Sequence, residues 1–70
     1  MRHVTEEGIN LIKRFEGFSS TIYICPAGYP TIGYGHVVVA HEQDQFATGI
    51  TQAEATELLR KDVRIAERAV

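Results

Sequence analysis

A short β-forming block with a helical pattern on either side constrains this chain more than any other feature. Thr21-Ile22-Tyr23-Ile24-Cys25 is rich in β-branched and aromatic residues, and Pro26-Ala27-Gly28 is turn chemistry. Thr31-Ile32-Gly33-Tyr34-Gly35-His36 and Val37-Val38-Val39 continue the pattern, with two glycines that permit tight bends or bulges. From Ser19 to about Ala40 this predicts an antiparallel sheet of two or three strands. So small a sheet is not stable alone and must pack on helices. The expected class is α+β: an N-terminal helix, a small antiparallel β-sheet and a long C-terminal helix.

The helical signals agree. Thr5 is placed as an N-cap, with Glu6 and Glu7 in the first turn where negative charge is favoured. Val4 and Ile9 are spaced as a hydrophobic staple across that cap. Ile9, Ile12 and Phe15, with Leu11 beside them, form an apolar stripe; Lys13 and Arg14 lie in the last turn and Gly17 ends it. Residues His41 to Gly49 are polar and read as a loop. Thr51-Gln52-Ala53-Glu54 is a capping box, and Ala55, Leu58, Leu59, Val63, Ala66 and Val70 make one stripe at helical spacing. No stop signal precedes Val70, so the helix over about 51–70 is expected to lead into further protein.

Seventy residues make one small domain at most, able to bury only about 60% of the surface of its unfolded chain. A hydrophobic fraction of 44% and a charged fraction of 23% exclude a disordered tail. The formal charge of -2 supplies no basic footprint for nucleic acid and no polybasic membrane patch. No apolar run is long enough to insert in a membrane, and the first residues lack the apolar core of a secretory signal. The single Cys25 cannot form an internal disulfide, which suits synthesis in a reducing compartment.

Three residues are candidates for chemistry. Glu16 ends the first helix, where the dipole disfavours a charged carboxylate, and the neighbouring Phe15 and Phe18 would add desolvation. A protonated carboxyl is what a general acid needs; a solvated glutamate at a helix end fits the residues equally. Cys25 ends the first strand and reads as a small buried hydrophobe or, paired with His36, as a thiolate, although no helix N-terminus lies near in sequence to favour that form. Thr31 reads as a strand former or as a hydroxyl that holds a water. Tyr23, Tyr29 and Tyr34 are ordinary sheet aromatics or the lining of a sugar cleft. His3, His36 and His41 have no metal-ligand spacing with Cys25, so no metal is expected. The glycines do not form a phosphate loop, and no cofactor is expected.

The combined string is more specific than its parts. Phe15-Glu16-Gly17-Phe18, Ile22-Tyr23-Ile24-Cys25 and Gly28-Tyr29-Pro30-Thr31-Ile32-Gly33-Tyr34-Gly35-His36 resemble the phage-type lysozymes, or endolysins. The start of the last helix, Gly49 to Ala55, is similar as well. The resemblance runs from about Thr5 to Val70. It implies a lysozyme-like N-terminal α/β lobe spanning 1–70, with the helix at about 51–70 leading to a C-terminal helical lobe that is missing. It also implies a muramidase: Glu16 as general acid, Cys25 in place of the Asp found in many members, and Thr31 positioning water. Tyr23, Tyr34 and Gly35 would bind substrate, and His36 would pair with Asp62 to lock sheet to helix. The expected partner is the glycan strand of peptidoglycan, cleaved with inversion. Other expected partners are the missing lobe or a second copy through the last helix. Such a protein would be made in the host cytoplasm and act on the cell wall after release. The alternative is an inactive prophage remnant or a weak wall-binding module.

Overall fold

The computed structural model describes residues 5–69. Helix α1 (Glu6–Glu16) is followed by strands β1 (Ser19–Ile24), β2 (Pro30–Gly33) and β3 (His36–Val37). A 3₁₀ turn (Ala40–Glu42) runs into the short helix α2 (Gln43–Phe46), and α3 (Gln52–Ala69) is the last described element. The sheet has the order β1-β2-β3, antiparallel throughout, with a register irregularity in β1 between Ser19 and Tyr23. The α+β architecture expected from the sequence is the one observed.

Both helix starts are capped as their sequences predict. The Thr5 hydroxyl accepts the Gly8 N–H at 3.1 Å. At α3 the Thr51 hydroxyl accepts the Glu54 N–H at 3.1 Å, while the Glu54 carboxylate accepts the Thr51 N–H at 2.9 Å. Each such cap is worth about 0.5–2 kcal/mol. The staple partner Val4 and the stripe residue Val70 lie outside the described residues.

The core sits between the sheet and the two C-terminal helices. Ile32, Val38 and Phe46 are its buried centre, with Ile22, Ile50 and Leu58 packed around them. Ala55 and Leu59 are buried on α3. The sheet approaches α3 very closely at Gly33: a Cβ there would lie 3.1 Å from the Ala55 Cβ and 3.2 Å from Ile50 Cδ1. Gly33 also has φ +67°, so the position excludes side chains on two grounds.

Three local expectations are corrected. The segment His41–Gly49 is not a loop throughout: it holds part of the 3₁₀ turn and all of α2, because one apolar residue, Phe46, anchors the polar run in the core. β3 itself ends at Val37 and Val39 lies beyond the sheet, but Val38 is buried and its N–H still donates to Pro30 O of β2 at 2.9 Å. The stripe on α1 is narrower than its apolar residues suggest. Ile9 is buried and Ile12 half-buried, but Leu11 is 61% and Phe15 87% exposed. At 100° per residue, Leu11 falls on the far side of the helix from Ile9, and Phe15 a third of a turn away. Ala66 on α3 is likewise exposed, past the point where the sheet supports the helix.

Candidate active site

Glu16 is the last residue of α1. The chain then reverses at Gly17, whose N–H donates to Lys13 O at 2.9 Å and whose φ of +73° favours glycine. This turn sends the Glu16 side chain over the β2–β3 turn. A Cβ on Gly35 would lie 2.8 Å from Glu16 Oε1 and 3.1 Å from Cδ, so the carboxyl rests against a bare Cα. Glu16 is exposed. The desolvation expected from its flanking rings does not occur: Phe15 faces outward, and the Phe18 ring packs on Tyr34 with centroids 5.6 Å apart.

Cys25 and Thr31 meet at the opposite end of β2, through one backbone atom. The Tyr29 carbonyl accepts the Cys25 N–H at 2.9 Å and the Thr31 hydroxyl at 2.9 Å. Cys25 is half-buried and Thr31 is buried. The Cys25 thiol is held below its ordinary value, chiefly by the Tyr29 backbone amide. Burial opposes this, while the Thr31 hydroxyl and the amides of Ala27 and Gly28 add to it. No helix terminus is needed; consecutive loop amides supply the positive end of the dipole. Thr31 has one proton to donate. In the structure it goes to Tyr29, and a thiolate would compete for it.

Among the tyrosines, Tyr23 pairs with Thr31 across the sheet and is exposed, so the two occupy the same side of adjacent strands. Tyr29 is exposed in the hairpin loop. Tyr34 is half-buried and its ring touches both the Phe18 ring and the Lys13 ammonium, whose Nζ lies 5.5 Å from the ring centroid.

His36 stands apart from the three candidate reactive groups in its bonding. Its Nδ1 lies 2.8 Å from Asp62 Oδ2 on α3, and its Nε2 lies 3.1 Å from Glu42 Oε1 in the 3₁₀ turn. Two carboxylates on two ring nitrogens are both satisfied only by the imidazolium. Burial of the ring works against that charge, but the bonds to Asp62 and Glu42 outweigh it and hold the pKa above its ordinary value. Burial pushes Glu42 up; the Val39 N–H and His36 overcome that and leave it low. Phe46 meets the His36 ring edge-on at 5.7 Å. Sequence reasoning proposes Asp62 as the partner and misses Glu42. The cluster thus joins β3, the 3₁₀ turn and α3. Cys25 and His36 are not joined by any hydrogen bond among the described residues. No group of His, Cys, Asp and Glu suited to a metal occurs among the described residues.

Known proteins are similar to this chain in sequence and in fold. The phage lysozyme family model matches residues 13–70. An endolysin of Acyrthosiphon pisum secondary endosymbiont phage 1 is 43% identical over 61 residues, covering 87% of this chain and 39% of the relative. The endolysin of Salmonella phage P22 is 35% identical, covering 100% of this chain and 49% of the relative. Among solved structures, a P22 lysozyme variant superposes with a TM-score of 0.72 at 33% identity, over 99% of this chain and 48% of that one. The muramidase domain of SpmX from Asticaccaulis excentricus gives 0.70 at 35% identity, over 89% and 40%. The chain therefore spans two-fifths to one-half of the length of these relatives. With the family model matching from Lys13 through Glu16, Cys25, Thr31 and His36 to the end of α3, the chain belongs to the phage lysozyme family.

Proposed function

We propose that this chain is the α/β lobe of a peptidoglycan muramidase and hydrolyses the β-1,4 bond between N-acetylmuramic acid and N-acetylglucosamine. The observation that carries the reading is the position of Glu16: an exposed carboxyl at a helix end, laid on the bare Cα of Gly35 in a turn that continues the strand carrying Thr31. Glu16 gives its proton to the glycosidic oxygen as the bond to the anomeric carbon breaks. Thr31, its own proton committed to Tyr29, has lone pairs that accept a hydrogen bond from the attacking water. Cys25 helps to orient that water and does not itself attack. Water arriving on the face opposite the leaving group inverts the anomeric centre and releases its surplus proton to solvent, from which Glu16 is reprotonated, whereas direct attack by the thiol would lead to retention. Tyr23 and Tyr34 offer ring faces to the sugars, and Gly35 leaves room beside the acid.

In this reading α3 leads to a second, helical lobe that closes the far side of the glycan groove. The chain covers 39% and 49% of two endolysin relatives, so a full-length protein has ample chain for such a lobe. Like other endolysins it acts on the wall after release from the host cell; among the described residues no helix is long and apolar enough to cross a membrane.

The test is release of soluble fragments from purified peptidoglycan by this chain and by Glu16→Gln. A positioned general acid contributes about 10²–10⁴-fold, so the variant should lose nearly all turnover. Equal rates would remove Glu16 from the chemistry. No turnover by either chain would limit this chain to binding the wall. NMR of the product anomer distinguishes inversion from retention.

A further inference from the structure

We infer that Tyr34 is a positioning residue: it clamps the β2–β3 turn onto the end of α1 and so aims the Glu16 carboxyl before any sugar is bound. The inference deepens the muramidase reading and rests on it for its catalytic meaning. Its structural content stands on three contacts.

Lys13, Glu16 and Phe18 lie within six residues of one another at the end of α1 and just beyond it. Each reaches one of two consecutive turn residues. The Lys13 ammonium lies over the Tyr34 ring, the Phe18 ring packs on that same ring, and the Glu16 carboxyl rests on Gly35. The chain enters and leaves Glu16 through residues that grip the same tyrosine. Aromatic pairs and cation–π contacts each favour the packed arrangement by a modest amount. These are enough to bias an exposed carboxylate among its rotamers, which differ by similar amounts.

Such a bias matters because little else holds Glu16. It is exposed, and among the described residues no hydrogen bond or ion pair holds its carboxyl. The turn beneath it is equally dependent on conformation. Gly35 has φ +85°, which presents the Cα hydrogen that a side chain would replace toward Oε1. A tyrosine that serves only to stack on sugar would have no influence on Glu16 in the free protein. A tyrosine that clamps the turn would.

The experiment is therefore NMR on the free chain, with no turnover required. The readout is the nuclear Overhauser effect between the Glu16 γ protons and the Gly35 α proton, with amide dispersion as the control for folding. In the unaltered chain the cross-peak should be present. Tyr34→Ala should lose it while the dispersion is kept, and Tyr34→Phe, which retains the ring, should restore it. An undiminished cross-peak in folded Tyr34→Ala overturns the inference. Should Tyr34→Ala fail to fold, Lys13→Gln decides: a weakened cross-peak supports the clamp and an unchanged one overturns it. Loss of lysis in Glu16→Gln tests the catalytic reading separately, since the cross-peak is read without substrate.

Discussion

The two sides of the candidate site are held in different ways. On one side, β2 and β3 are locked to α3 by buried side chains, by the close approach at Gly33 and by His36 between two carboxylates. On the other, α1 buries only Ile9 and shows Leu11 and Phe15 to solvent. It is fastened near its ends, by the paired Glu6 and Arg60 side chains at the start and by the contacts to Tyr34 at the finish. Thr31 and Cys25 belong to the firm side. Glu16 belongs to the other. For the muramidase proposed above, this division would fix the water-holding groups and leave the acid on the weakly packed side, aimed there by the contacts to Tyr34.

The largest test of the contrast is the same substitution made once on each side. Phe46 is 4% exposed and Phe15 is 87% exposed. Phe46→Ala should cost about 3–5 kcal/mol, as the loss of a core aromatic does. A domain of 70 residues has roughly 4–10 kcal/mol of stability in all, so this variant is expected to lose a large share of it. Phe15→Ala should stay within about 0.5 kcal/mol of the parent. Urea denaturation followed by circular dichroism reads both. A comparable loss in Phe15→Ala would show that α1 packs more tightly than its exposed face implies.

A smaller effect comes from pH, and on the firm side it has two limits. His36 is raised from 6.5, so its contribution is complete below 6.5 and is lost as pH rises through the higher folded value. Glu42 is lowered from 4.5, so its contribution is complete above 4.5 and is lost as pH falls through the lower folded value. Stability should therefore be flat between these limits and fall on either side. The alkaline loss should be of the order of one charge-assisted hydrogen bond, about 1.5–3 kcal/mol. His36→Gln should abolish the alkaline fall, measured as the urea midpoint at a series of pH values. A fall that persists in the variant would place its cause elsewhere.

The legibility of the sequence follows the same division. Caps, strands and turn glycines are local signals, and Thr5, Gly17 and the Thr51–Glu54 box perform as their spacing predicts. Apolar periodicity identifies α1 as a helix but cannot say how much of its stripe finds a partner; Leu11 and Phe15 do not. Phe46 is misjudged for the converse reason. One apolar side chain in a polar run has no period, yet it fills the core and draws Glu42 to His36. The family string marks Glu16, Cys25 and Thr31, but not the atom that connects the last two. The Tyr29 carbonyl is backbone, and no side-chain pattern reports it.

The smallest expected effect is at the start of α1. Glu6 and Arg60 form a two-pronged pair between α1 and α3, with Arg60 Nη2 donating to Glu6 Oε1 at 2.8 Å. The hydrogen bond from Arg60 holds the Glu6 carboxyl below its ordinary value. Both groups are solvated, so water and salt screen most of their attraction. Glu6→Gln should lower the melting temperature less than either pH limit does, and the difference from the parent should shrink in high salt. Its sharper signature is local. If the pair fastens one end of an otherwise weakly packed helix, amide exchange should quicken over the first turns of α1 and stay unchanged in β2. Uniformly faster exchange in both would mean that α1 and the sheet open as one unit, and the division between a firm and a free side of the site would disappear.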